Sequence, residues 1–160
     1  MPQTIESLEN LNLENLTLTV AQEIFVNASV ETTFAALLEQ LSTANEHPDG
    51  TPMPMKLEPR PGGRWFRDLG GDNGHWWGTV QAIKRPTLLE INGPMFMSYP
   101  VMNNVQYRLS ESKGGTLIVF HHSGFGLISE DHKKGVHTGW SHVHEQTRKR
   151  AEGKLPAAAR

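Results

Sequence analysis

Apolar residues change their spacing several times along the chain, and each change predicts an element. From Leu16 to Val26, "LTLTVAQEIFV" is rich in Thr, Val, Ile and Phe and reads as a strand. Directly after it, Val30, Phe34, Leu37, Leu38 and Leu41 recur at the spacing of a helix stripe, with Asn27 or Ser29 placed to cap it. The breaker cluster "EHPDGTPMPM" ends that helix. In "MKLEPRPGGRWFRDL" the pattern predicts two short strands about a Pro-Gly-Gly turn. "HWWGTVQAI" and "TLLEI" predict further strands, bounded by the turns "GGDNG" and "KRP", and such short connections imply antiparallel neighbours.

"MFMSYPVM" is apolar but interrupted by Pro100, which suits a loop or edge piece covering the core. "NNVQYRLS", the turn "ESKGG" and "TLIVFHHSGF" then supply a last hairpin. From Ser129 onward the spacing returns to that of a helix, with Ser129 and two acids at its start and cations with Gly153 at its end. Val136, Trp140 and Val143, with Thr147 continuing the spacing, form its apolar stripe. Gly139 costs about 1 kcal/mol inside a helix, and beside Trp140 it points to close approach of another backbone. Residues 1–15 are polar and aperiodic, residues 16–153 make one domain, and residues 154–160 form a tail.

Composition narrows the function classes. The chain has 160 residues, enough for one domain with a real core. Its formal charge is −2 with acids and bases interspersed, so no broad positive field exists and nucleic acid is a poor partner. The cluster "RKR" at Arg148 to Arg150 falls at a predicted helix end, where cations favour the helix dipole. Without cysteine there is neither a disulfide framework nor a thiolate nucleophile. The first residues lack the features of a signal peptide, and no segment reaches the roughly eighteen apolar residues of a membrane span. A cytoplasmic protein that contacts no membrane is the expectation.

Order and wording together carry a resemblance. "IFVNASVETTFAAL", "PGGRW", "GTVQAIKRPTLLEI", "GGTLIVFHHSGFG" and "GW" within the last helix span about residues 16–152. With them the chain resembles the SRPBCC superfamily of START-like helix-grip folds. Within it, the chain is similar to the family of the C-terminal domain of the activator of the heat-shock-protein-90 ATPase. The resemblance implies an α+β fold: a curved antiparallel β-sheet wrapped around a long C-terminal α-helix, with a cavity that in many relatives takes an apolar or aromatic molecule. It implies no single activity. His144 and Thr147 depart from the pattern, since relatives usually carry large apolar residues there. The co-chaperones also carry a separate N-terminal domain, whereas this chain has a short polar extension, which weakens the reading as a regulator of a chaperone ATPase.

Alternation along "TLIVFHHS" turns His122 inward with Ile118 and Phe120, and His121 outward. An enclosed imidazole needs a partner, and His144 on the last helix is in line to supply it. His122 is therefore a satisfied core histidine, a group orienting a ligand, or a general acid or base, the last being chemically open to a neutral imidazole. The expected ligand-binding set is His122 and His144 as the polar end of a cavity, Trp77, Phe120 and Trp140 as its walls, and Met95, Met97 and Tyr99 as its cover. Eight histidines do not make a metal site. His121 and His122 diverge on a strand, His142 and His144 lie roughly 200° apart on a helix, and about 10.5 Å of rise separates His137 from His144. Only His122 and His144 with a carboxylate remain as a minor combination, so no metal or cofactor is expected. Ser123 lies outside any G-x-S-x-G elbow, and "GGDNG" joins strands instead of opening a phosphate-binding helix.

The reading that follows is a binding protein for a small hydrophobic or aromatic molecule. The alternatives are a cyclase- or hydrolase-type enzyme using His122, or a co-chaperone-like stress-response regulator. Exposed edge strands leave a homodimer open.

Overall fold

Seven strands and two helices are set out in the computed structural model, which describes residues 12–156. A single 3-10 turn, Leu13–Leu16, leads into strand β1, Thr17–Val26. Ser29 ends the extended run and caps helix α1, Val30–Leu41, its hydroxyl accepting from the Thr32 N–H. Val30, Phe34, Leu37 and Leu41 are buried as the spacing predicts, while Leu38 is half-buried. Five strands follow in chain order: β2 (Lys56–Leu57), β3 (Arg64–Gly70), β4 (Asn73–Lys84), β5 (Leu88–Gly93) and β6 (Val101–Ser112). Strand β7, Gly115–Gly126, precedes the long helix α2, Glu130–Ala151.

Every pairing is antiparallel, and the order across the sheet is β1-β7-β6-β5-β4-β3-β2. The first strand thus closes on the last, leaving the short β2 at the far edge. Register aligns the inward residues in cross-strand rows. One row runs Val20, His122, Val105, Ile91, Val80, and the next runs Gln22, Phe120, Tyr107, Leu89. Alternation holds along β7: Ile118, Phe120 and His122 are fully buried and His121 is exposed. This curved sheet with its long C-terminal helix is the expected helix-grip architecture.

Helix α2 lies across the buried face and packs on both α1 and β1. Its N-cap is Ser129, which accepts from the His132 N–H, and Glu130 and Asp131 complement the positive end of the dipole. The buried line is Val136, Trp140, His144, Thr147 and Ala151. His144, expected as a partner for His122 and not as a member of this stripe, lies on it, and Val143 is only half-buried. A second correction concerns Gly139. A Cβ built at Gly135 or at Gly139 would meet no heavy atom within 4 Å, so these glycines face open space and not a neighbouring backbone. No helix among the described residues is long and apolar enough to cross a membrane. Of the polar extension expected over residues 1–15, residues 1–11 lie outside the described residues, as does the part of the tail beyond 156.

Candidate functional site

Tryptophans from two adjacent strands begin the site. Trp65 on β3 is buried and donates its indole N–H to the Leu41 carbonyl at 2.7 Å, which joins the sheet to the end of α1. Trp77 on β4 stands edge-on to it, ring centroids 5.1 Å apart, and donates to His75 Nδ1 at 3.1 Å. After β5 the chain makes a left-handed step at Met95, φ 56°, held by the Met95 N–H on the Trp77 carbonyl at 2.8 Å. That step sends Met95 and Met97 into the core and sets Phe96 against Trp77 on one side and His132 on the other. Helix α2 supplies the opposite wall: Gly135, Val136, Gly139, Trp140 and Val143.

Between these walls lies a half-open cavity of about 340 Å³, also bordered by Leu41, Met53 and the segment Asn45 to Pro48. Its size is within the range of small-molecule sites. The aromatic part of the wall is apolar because its indole N–H groups are already engaged. The indole N–H of Trp140 donates to His122 Nδ1 at 2.9 Å, so all three tryptophans spend their donors behind the wall and show the void only carbon. Glu46 on the rim is 2.8 Å from His142 Nε2, tying the loop after α1 to α2. Among the described residues, no cluster of His, Asp or Glu is arranged to hold a metal ion.

Behind Trp140 two hydrogen-bonded chains fix the imidazoles. Asn103 donates to the Pro94 carbonyl at 3.1 Å, which turns its amide oxygen toward His122. His122 Nε2–H therefore donates to Asn103 Oδ1 at 2.7 Å, leaving Nδ1 as the acceptor for Trp140. In the second chain Gln22 donates to the His137 carbonyl and to Ser141 Oγ, both at 3.1 Å. Its amide oxygen then accepts from His144 Nδ1–H at 2.7 Å, and His144 Nε2 accepts from the Tyr107 hydroxyl at 3.0 Å. Each ring has both nitrogens satisfied only while neutral. Burial accordingly holds His122 down at about 4 and His144 at about 3, and raises Tyr107 well above its usual value.

Comparison with known proteins fits this architecture. The profile described as Activator of Hsp90 ATPase homolog 1-like protein matches residues 27–152. The chain belongs to that family. No curated protein sequence matches it. Among solved structures, protein MLL2253 from Mesorhizobium loti is 18% identical with a TM-score of 0.65, covering 86% of this chain and 99% of that one. Ara h 8.0201 is 12% identical with a TM-score of 0.64, covering 86% of this chain and 99% of its own. The di-domain ARO/CYC StfQ from the steffimycin biosynthetic pathway is 10% identical with a TM-score of 0.63, covering 89% of this chain and 53% of that one. At these identities the likeness is one of fold.

Within this activator-like chain, two residues of the expected ligand set, Trp77 and Trp140, stand together on the cavity wall. The others are placed elsewhere. His122 and His144 do not form the polar end of the cavity, because Trp140 intervenes and β1, β6 and β7 pack closely beneath them. Nor does His144 partner His122, since each has its own chain of amide and ring donors. Phe120 lies under Trp140 and His144 in the core, with centroids 4.8 and 4.5 Å away. Met95 and Met97 are fully buried, so they fill the core and do not cover a void. Tyr99 stands one layer outside the wall, stacked on His132. Sequence reasoning missed Trp65, Phe96, His132, Gly135, Val136 and Gly139. Phe96 was discoverable as the residue of opposite parity to the two methionines, and the glycines as an i, i+4 pair one turn before Trp140.

Proposed function

We propose that this protein binds a small hydrophobic or aromatic molecule in the cavity between α2, β3 and β4. One observation carries the reading: the cavity of about 340 Å³ is walled by Trp65, Trp77, Phe96 and Trp140, and two mid-helix glycines keep it open. An interior glycine costs about 1 kcal/mol against alanine, so two facing the same void weaken the helix where side chains would have filled the space. Binding is favoured over acid–base catalysis at His122. That ring is off the cavity wall, and its partners are an amide and an indole, neither of which moves a proton near neutral pH. The co-chaperone reading calls for a broad exposed apolar patch. Met102 and Phe125 are exposed cross-strand neighbours, but single or paired exposed hydrophobes are ordinary on a surface.

Bicyclic aromatics and medium-chain acyl compounds, titrated against intrinsic tryptophan fluorescence and melting temperature, test the proposal. Three of the four tryptophans line the wall, so a bound aromatic quenches or shifts their emission saturably. Ligand at 100 times its Kd adds about 2.7 kcal/mol of stability. A panel that gives neither signal overturns the reading.

A further inference from the structure

We infer that His132, held by Tyr99, donates a hydrogen bond from the cavity wall to the ligand, and that the ligand is a neutral aryl carbonyl compound. The inference rests on the binding reading above and adds the chemistry that the site selects.

His132 occupies the first turn of α2, half-buried, with its ring on the cavity wall. Phe96 meets it edge-on at 5.2 Å and Tyr99 stacks on it at 5.6 Å, so the ring is clamped in one orientation. The Tyr99 hydroxyl accepts from the Ser129 N–H at 3.3 Å and lies 2.6 Å from His132 Nδ1. Its own proton has one acceptor in reach among the described residues, and that is Nδ1. The neutral imidazole then carries its hydrogen on Nε2, the ring edge away from Tyr99. Nε2 has no protein partner among the described residues.

His47 is the other imidazole on the wall, but it is exposed where His132 is half-buried. The three indole donors point away, and the Asn45 amide donates to the Met53 carbonyl at 3.0 Å. A ligand with one acceptor beside an apolar ring system matches this arrangement. Charge decides between a carbonyl and a carboxylate. Glu46 and Asp131 both border the cavity, so an anionic ligand meets acids of like sign, whereas a neutral carbonyl oxygen accepts from Nε2–H without that repulsion.

Three probes of nearly one shape test this: 2-acetylnaphthalene, 2-ethylnaphthalene and 2-naphthoate, titrated by tryptophan fluorescence at pH 7.5. The wild type is expected to bind the acetyl compound about 3- to 10-fold more tightly than the ethyl compound, and more tightly than the carboxylate. His132→Phe should bring the acetyl-to-ethyl ratio to about one. His132→Gln, whose amide N–H reaches a similar position, should recover part of the preference. Tyr99→Phe releases the tautomer and should lower the ratio while the protein stays folded. Equal binding of acetyl and ethyl probes by the wild type, or a ratio unchanged in His132→Phe, overturns the role of His132 and leaves the cavity reading standing. Tighter binding of 2-naphthoate overturns the choice of a neutral ligand. Absence of binding by all three removes the cavity reading itself, and this inference with it.

Discussion

Replacing Gly139 separates a glycine that serves packing from one that serves a void. The residue lies within α2 one position before Trp140, and its Cβ would meet nothing within 4 Å. No steric penalty therefore opposes the helix-propensity gain, and Gly139→Ala is expected to stabilise the protein by about 1 kcal/mol. For a chain of this size that raises Tm by about 2–4 °C. Gly139→Leu adds further methylenes to the same space. Each CH₂ it buries contributes about 0.8 kcal/mol, so the empty protein gains again while room for a ligand is lost. Affinity for 2-ethylnaphthalene should then fall about tenfold or more. Gly63→Ala provides the contrast, because a Cβ there would lie 1.9 Å from the Glu58 carbonyl oxygen and must displace backbone. That variant should lose more than about 1 kcal/mol. Urea denaturation and thermal melts read the stabilities, and fluorescence titration reads the affinity. A lower Tm for Gly139→Ala, or undiminished probe binding by Gly139→Leu, would refute the argument.

Stability should also depend on pH through the two buried imidazoles. Their folded pKa values, about 4 for His122 and about 3 for His144, lie below the 6.5 of an unfolded chain. The unfolded state consequently takes up protons first on acidification, so the contribution is complete above about pH 7 and is lost as pH falls from about 6.5 toward 4 for His122 and toward 3 for His144. Each ring contributes a slope of up to about 1.4 kcal/mol per pH unit in that window. A urea midpoint that stays flat from pH 7 to pH 5 would contradict the neutral assignment. Thr33 offers a gain: its hydroxyl is buried without a partner among the described residues. Thr33→Val should raise stability by about 1 kcal/mol in urea melts, and a loss would mean that the hydroxyl is satisfied.

Element order and side-chain parity were legible in the residues. Serines at 29 and 129 cap the helices because a side-chain oxygen can satisfy an orphan N–H locally. His122 faces in and His121 out because a strand alternates whatever surrounds it. What the sequence could not reveal is which inward residues touch empty space. His122, Phe120, Met95 and Trp77 all read alike as inward or apolar, and their fates differ only through the distance between layers. Over β1, β7 and β6 the helix packs closely, so His144 and His122 become the centres of satisfied hydrogen-bonded chains. Toward β3 and β4 the layers part, and Trp65, Trp77 and Phe96 border a void. Gly139 shows the same division. Its identity suggested a close neighbour, and the tertiary structure placed a gap there. Periodicity is set by the local backbone, whereas a cavity is set by how far apart the packed elements come to rest.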